Sequence, residues 1–237
     1  MNSNIQYFII LLLALQACSY NQPINKTKNI MGNNNIKEIR FVAIGDSYTI
    51  GQGLEEKDSW PNLLASHLNA SGIKINLVAN PSRTGWTAKQ EIDFEIPILK
   101  KSNADFTTLL IGVNDFVQGV DEETFRERLS LLIDKIQESI SNKDNLLIIT
   151  IPDFSATPAG KNFGNEKDIS KGLMKFNSII KEEAKKRNLN VVDIYTITQE
   201  MGNDKSLIEN DGLHPTKKEY EIWESVIYPV ALKMLKK

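Results

Sequence analysis

Four short polar motifs in this sequence contain the residue types that hydrolytic chemistry needs. In chain order they are Gly45-Asp46-Ser47, the single residue Gly85, Gly112-Val113-Asn114-Asp115 and Asp211-Gly212-Leu213-His214-Pro215. A serine hydroxyl is a weak nucleophile and needs a base within hydrogen-bonding reach, for which histidine is the usual choice near neutral pH. The sequence therefore offers Ser47 as a candidate nucleophile and His214 as its base.

Asp211 and three hydrogen-bond donors complete this hypothesis. Asp211 lies three residues before His214, so one turn can bring its carboxylate to the far ring nitrogen, where it would fix the tautomer. Acyl transfer also needs donors directed at the developing oxyanion. The backbone N–H groups of Ser47 and Gly85 and the side-chain amide of Asn114 can supply them. Each motif taken alone is equally a plausible turn, because Gly, Asn, Asp and Pro favour turns.

The elements that precede these motifs decide between the two interpretations. Short apolar runs alternate with amphipathic helical patterns, and they are nearly continuous, which is typical of strands buried on both faces of a parallel sheet. The runs cover residues 39–44, 75–79, 106–111, 146–151 and 189–194. Five such strand–helix units predict a doubly wound, three-layer α/β/α sandwich. Chemistry in such sheets collects at the C-terminal edge of the strands, where we expect the four motifs to meet.

Two helical patterns carry further signals. The pattern over residues 87–96 is followed by Pro97, which we expect to end or kink the helix. The last helix begins near Thr216-Lys217-Lys218-Glu219, a sequence that predicts a capping box between Thr216 and Glu219.

Taken together, the four motifs resemble in order the four blocks of the SGNH (GDSL-type) hydrolases, and the resemblance spans about residues 39–220. Tyr48 stands where the GDSL name has leucine, a variation that is common in the family. The resemblance implies a flavodoxin-like five-stranded parallel sheet, a catalytic triad of Ser47, His214 and Asp211, and no cofactor or metal. It also implies an oxyanion hole formed by Ser47, Gly85 and Asn114.

Other residues receive structural interpretations. We expect His67, within a helical pattern, to be structural or solvated, and Asp46 and Asp115 to hold loops through backbone hydrogen bonds. Aromatic and aliphatic side chains that follow the strand ends are candidates for an apolar substrate pocket, although they are equally compatible with the core: Trp86, Phe116, Val117 and Phe154. Residues 152–168 are the expected source of substrate specificity, because functional residues concentrate in loops.

Composition limits the class of protein and its partners. A chain of 237 residues with 41% hydrophobic content can bury a full core in one domain. The formal net charge of −2 makes nucleic acid a poor candidate partner. The single cysteine, Cys18, excludes an intramolecular disulfide and a multi-cysteine metal site.

The N-terminal residues differ in character from the rest. Residues 7–15 form an apolar run that is too short to span a bilayer but suits the core of a signal peptide. Leu15-Gln16-Ala17-Cys18 resembles the lipobox of bacterial lipoproteins, which implies cleavage before a lipidated Cys18. The alternative is an ordinary cleaved signal or a short anchor. We therefore predict a signal peptide over residues 1–17, a flexible tether over 18–36 and the hydrolase domain over 37–237.

The leading functional hypothesis is a serine ester hydrolase, exported and anchored to a membrane by lipid, that acts on small or medium acyl esters as esterases and lysophospholipases do. One alternative is a carbohydrate O-deacetylase. An alternative of another class is a surface lipoprotein that binds ligands on the same scaffold without turnover. The intact set of Ser47, Asp211 and His214 argues against the last.

Overall fold

Five parallel strands form one central sheet in the computed structural model, which describes residues 37–236. The strands are β1 (Ile39–Gly45), β2 (Ile75–Ala79), β3 (Phe106–Leu110), β4 (Leu146–Ile149) and β5 (Asn190–Val192), in the spatial order β2-β1-β3-β4-β5. The predicted parallel α/β sheet is thus confirmed. β4 is shorter than predicted because the Ile151 N–H is bound by Asn177 Oδ1 (2.8 Å), and Pro152 after it has no N–H to offer.

Helices flank the sheet, and their apolar stripes face it. They are α1 (Ser47–Ile50), α2 (Trp60–Ala70), α3 (Ala88–Gln90), α4 (Ile96–Ser102), α5 (Val113–Val117), α6 (Glu122–Gln137), α7 (Glu166–Lys186), α8 (Tyr195–Thr198) and α9 (Lys217–Leu235). α2 packs against α9, and α6 packs against α7. The apolar face of α6 is fully buried at Phe125, Leu129, Leu132, Ile133 and Ile136.

Of the two outcomes predicted for Pro97, an end to the helix is wrong, because the helical residues continue past it to Ser102. A π-helical turn over Glu91–Glu95 joins α3 to α4, and Pro97 lies in the first turn of α4. The first turn of a helix tolerates proline because its N–H groups need no intrahelical partner. A new α-helical segment therefore begins at Ile96, after the π-helical turn, and continues to Ser102.

The signal peptide and tether predicted for residues 1–36 lie outside the described residues. Among the helices formed by residues 37–236, none combines the length and the apolar character needed to cross a membrane.

The capping box predicted at the start of α9 is wrong. Thr216 occupies the N-cap position, but its hydroxyl donates to Ser206 O (2.9 Å) and makes no cap hydrogen bond. Glu219 is buried and accepts a hydrogen bond from Trp223 Nε1 (2.7 Å). A buried indole N–H needs an acceptor, and this requirement draws the Glu219 carboxyl inward, away from the helix terminus. Burial raises the pKa of Glu219 to about 7.

Because Glu219 is buried, we predict that the free energy of unfolding depends on pH. Between the ordinary carboxyl pKa and about 7, folded Glu219 holds a proton that the unfolded chain releases, so the free energy of unfolding falls as pH rises. Each unit of pKa shift corresponds to about 1.4 kcal/mol. Glu219→Gln keeps the acceptor for Trp223 and removes this ionisation, so its stability relative to the parent chain should increase from pH 5 to pH 8.

Urea unfolding of both chains at the two pH values measures this difference. Glu221→Gln, at an exposed position of the same helix, is the matched control and should leave the pH dependence unchanged. A Glu219→Gln curve that parallels the parent curve across the pH range would contradict the assignment.

Candidate active site

Ser47 lies where β1 ends and α1 begins, at the C-terminal edge of the sheet. The Asp46 carboxylate caps α1, because its Oδ1 accepts a hydrogen bond from the Tyr48 N–H (3.0 Å). Gly45 makes this sharp turn possible: a Cβ at that position would lie 2.2 Å from Thr49 Oγ1 and 2.6 Å from Leu110 O. Any side chain at residue 45 would therefore force the Ser47 turn away from β3.

A short loop before α9 carries Asp211 and His214. Ile208 and Pro215 form an antiparallel bridge at its base, and the Glu209 N–H donates to His214 O (2.8 Å). These contacts close the loop into a hairpin-like turn. The loop is thereby held over the end of β1, with His214 facing Ser47.

The structure brings Ser47, His214 and Asp211 into one hydrogen-bonded chain. His214 Nε2 lies 2.9 Å from Ser47 Oγ, and His214 Nδ1 lies 2.5 Å from Asp211 Oδ2. The other oxygen, Asp211 Oδ1, accepts from the N–H groups of Leu213 (2.8 Å) and His214 (2.9 Å). Burial alone would raise the pKa of Asp211, but the hydrogen bonds from His214 and Leu213 outweigh it and lower the pKa below its ordinary value. An ionised Asp211 holds a proton on Nδ1 and leaves Nε2 to accept the serine proton.

Buried aromatic side chains pack behind the hydrogen-bonded residues Ser47, His214 and Asp211 and hold them in position. The sequence alone did not indicate this role. The Tyr48 ring lies 5.1 Å from the His214 ring. Tyr48 O accepts hydrogen bonds from Trp60 Nε1 (3.1 Å) and Tyr220 Oη (2.9 Å). α1 is thus anchored to both α2 and α9, the helices that pack together on one side of the sheet.

The three predicted oxyanion donors lie around Ser47, but they are not equivalent. Within residues 37–236, the N–H groups of Ser47 and Gly85 bond to no protein acceptor. Asn114 Nδ2 instead donates to Asp46 Oδ2 (3.1 Å) and Trp86 O (3.0 Å). Asn114 therefore ties the Ser47 turn to the Gly85 loop, and it must share or release one of these bonds to reach an oxyanion.

A small cavity of about 120 Å³ opens beside Ser47. Ser47, Gly85, Asn114 and His214 lie on its polar side. Tyr48 and Thr84 also line it, together with five apolar residues: Val113, Val117, Phe154, Phe163 and Leu213. Phe154 and Val117 were expected here, and Phe163 falls in the segment predicted to set specificity. Val113 and Leu213 were missed, although each directly precedes a predicted site residue.

Trp86 and Phe116 do not line this cavity. Phe116 follows Asn114 by two residues on helix α5, which turns it to the opposite side, where it packs edge-on against Phe176. Trp86 follows Gly85, whose φ of +82° turns the chain, and its ring packs against Phe94 instead. Phe116 therefore packs against the core, which is the alternative left open for these residues, and Trp86 lies outside the Ser47 cavity.

A buried carboxylate, Asp153, holds the segment that carries Phe154. Its oxygens accept hydrogen bonds from the Ser155 N–H (3.1 Å), Ser170 Oγ (2.7 Å) and Gln199 Nε2 (3.0 Å). Burial opposes ionisation, but hydrogen bonds to side chains and to the Ser155 backbone lower the pKa of Asp153. This network joins the end of β4 to α7 and fixes one wall of the cavity.

The residues expected to be structural have structural contacts. His67 Nδ1 lies 3.0 Å from Glu224 Oε1, and the His67 ring stacks on Tyr228 at the packed surface of α2 and α9. Asp115 Oδ2 accepts from the Ala88 N–H (2.9 Å), which joins α5 to α3. Asp46 caps α1 as described. In the part of the chain that the structure describes, no group of three or more His, Cys, Asp or Glu side chains is placed to hold a metal ion.

Comparison with known proteins shows the family of this chain. The sequence profile of the GDSL-like Lipase/Acylhydrolase family matches residues 43–222, three quarters of the chain. A curated relative, an arylesterase of Vibrio mimicus, is 25% identical over 115 residues, which cover 48% of this chain and 57% of the relative. The chain thus matches little more than half the length of that arylesterase.

Solved structures share the fold at low sequence identity. The psychrotrophic esterase EstA from Pseudoalteromonas sp. has a TM-score of 0.66 and 20% identity, over 84% of this chain and 100% of that chain. The acetylxylan esterase Axe2 from Geobacillus stearothermophilus has a TM-score of 0.65 and 17% identity, over 81% and 94%. The matched profile contains all four motifs, from Gly45-Asp46-Ser47 to His214. The chain therefore belongs to the GDSL-like lipase/acylhydrolase (SGNH) family.

Proposed function

We propose that this protein is a serine ester hydrolase that releases short acyl groups through an acyl-enzyme intermediate. The observation that carries the proposal is the hydrogen-bonded chain from Ser47 Oγ through His214 to Asp211, with distances of 2.9 Å and 2.5 Å, at the mouth of an apolar cavity. This is the arrangement that activates a serine hydroxyl. Ser47 is the nucleophile, His214 the general base and Asp211 the residue that orients it.

The reaction proceeds in two displacements. Ser47 Oγ attacks the ester carbonyl while His214 Nε2 takes its proton, and the N–H groups of Ser47 and Gly85 donate to the oxyanion. The bond to the alcohol oxygen then breaks as His214 returns the proton to it, which leaves the acyl group on Ser47. Water attacks this acyl-enzyme, His214 takes a proton from the water, and the acid departs as Ser47 Oγ is reprotonated.

The size of the cavity favours short acyl groups. Its volume is about 120 Å³, and most of the side chains that line it are apolar. We expect an acetyl to butyryl group to occupy this space. We expect a longer chain to displace Phe163, which lines the cavity and is 46% exposed. The same cavity suits the acetyl group of a glycan, so a carbohydrate O-deacetylase is the second candidate.

A panel of p-nitrophenyl esters from acetate to dodecanoate tests the acyl preference. We expect the highest kcat/KM between acetate and butyrate and a fall of about tenfold or more by octanoate, because each excluded methylene costs transition-state binding. Phe163→Ala should extend the preference to longer chains. Met174→Ala, at an exposed position on α7, is the matched control and should leave it unchanged.

A maximum at octanoate or beyond would contradict the short-acyl assignment. Acetate release from acetylated xylo-oligosaccharides, compared with that from p-nitrophenyl acetate, separates the two candidates. A kcat/KM for the glycan well above that for the aryl ester supports the deacetylase, and the reverse order supports the simple esterase.

We further propose that the protein is exported and held at a membrane by lipid on Cys18. The proposal rests on the apolar run of residues 7–15 and on Leu15-Gln16-Ala17-Cys18, which contains the single cysteine of the chain. Expression in a bacterial host with radiolabelled palmitate tests it: the parent chain should take up label and partition into detergent. Cys18→Ser should lose both properties and Ser19→Ala neither. An unlabelled mature chain that begins at another residue would refute the lipid anchor.

A further inference from the structure

A second and larger depression lies next to the Ser47 cavity. Its volume is about 630 Å³, and its lining includes Ile50, Arg83, Trp86, Phe94 and Ile98. We call these five residues the β2-side groove. In sequence, Arg83 and Trp86 directly flank Thr84 and Gly85, and these two residues line the Ser47 cavity. Ile50, in turn, is the last residue of the helix α1 that begins with Ser47.

The loop that carries the groove is tied to the Ser47 turn. Asn80 Nδ2 donates to Thr49 O (3.0 Å), and the Thr84 hydroxyl donates to Gln52 Oε1. These bonds connect both ends of the loop to residues that follow Ser47 in the chain. The groove therefore holds a fixed position relative to the nucleophile.

The groove gathers exposed apolar side chains. Phe94 is 55% exposed, Ile98 42% and Ile50 38%. These are three of the seven large apolar side chains that are exposed among the described residues. The Phe94 and Trp86 rings lie 5.4 Å apart and form a continuous aromatic wall. A cluster of this kind at the edge of an active site marks a surface that binds a ligand.

Arg83 is the charged residue among those that line this apolar groove. The Arg83 guanidinium lies 5.8 Å from the centre of the Trp86 ring. Arg83 forms no ion pair with any carboxylate of residues 37–236, although several lysine side chains elsewhere in this part of the chain do. A guanidinium with free N–H groups binds carboxylates and phosphates through paired hydrogen bonds. The groove thus combines an apolar wall with a free anion-binding group.

We propose that the β2-side groove binds the alcohol portion of the ester, and that it favours alcohols with an apolar or aromatic body and an anionic group. The proposal rests on the proposed ester hydrolysis. An ester whose carbonyl lies at Ser47 has an acyl group on one side and an alcohol group on the other. The cavity of about 120 Å³ suits a short acyl group. The groove, beyond Thr84 and Gly85, is large enough for the alcohol group. Arg83 selects the anion, and Trp86 and Phe94 contact the body.

Two acetates of nearly the same shape test the charge preference. 4-Acetoxybenzoate carries an anion on the alcohol side, and 4-acetoxybenzamide is its neutral counterpart. Arg83→Gln should lower kcat/KM for the benzoate about tenfold, which corresponds to about 1.4 kcal/mol, and leave the benzamide unchanged. Lys100→Gln, at an exposed position of α4 outside the groove, is the matched control and should change neither. Because Arg83 is exposed and free of ion pairs, the variant should fold as the parent does.

Two further measurements complete the test. Phe94→Ala should raise KM for both acetates more than it lowers kcat, because it removes binding surface without touching the reacting atoms. 4-Acetoxyphenyl phosphate distinguishes the anion: a larger Arg83→Gln effect than with the benzoate assigns the site to phosphates, and a smaller one assigns it to carboxylates.

An equal effect of Arg83→Gln on benzoate and benzamide, or no effect on either, would refute the groove assignment and leave ester hydrolysis standing. Failure of the parent chain to hydrolyse either acetate would refute the proposed function itself, and the groove assignment with it.

Discussion

The close approach of the Ser47 turn to strand β3 is the constraint on which the rest of the site depends. It is possible only because residue 45 has no side chain, since a Cβ there would lie 2.6 Å from Leu110 O. The turn sets the direction of the Ser47 hydroxyl. It also places Asp46 where one carboxylate oxygen caps α1 and the other accepts from Asn114. The glycine at residue 45 therefore determines the position of Ser47. Through the hydrogen bond between Asp46 and Asn114, it also determines the position of the loop that carries Asn114.

Beneath this turn the protein buries an unusual number of carboxyl groups. Glu91 and Glu95 are buried in the π-helical turn, and Glu95 Oε2 accepts from the Gly45 N–H (3.2 Å). Burial raises the pKa of both glutamates well above their ordinary values and that of Asp46 to about 7. Ionised carboxylates this close to the site would oppose negative charge on a substrate oxygen. The raised pKa values of Glu91 and Glu95 favour their neutral forms, which limits that opposition.

Much of this fold was predictable, because the signals that encode it are local. The strands are continuous apolar runs, and the positions of Ser47, Asn114 and His214 follow from motifs at the ends of elements. The directions of individual side chains were not predictable in the same way. Trp86 turns away after the left-handed Gly85, and Phe116 lies on the far side of a helical turn from Asn114. The capping box at Thr216 failed for a tertiary reason, because the buried Trp223 indole takes the Glu219 carboxyl.

The most direct test of the central claim is covalent labelling of the folded protein with a fluorophosphonate probe, followed by mass spectrometry of its peptides. An activated serine attacks the phosphorus of such a probe, so we predict one adduct per chain, on Ser47. Ser47→Ala should abolish the adduct, and His214→Ala should slow its formation by about 100-fold or more, because the base is lost. A folded protein that forms no adduct, or forms it on another serine, would contradict the assignment of Ser47 as an activated nucleophile.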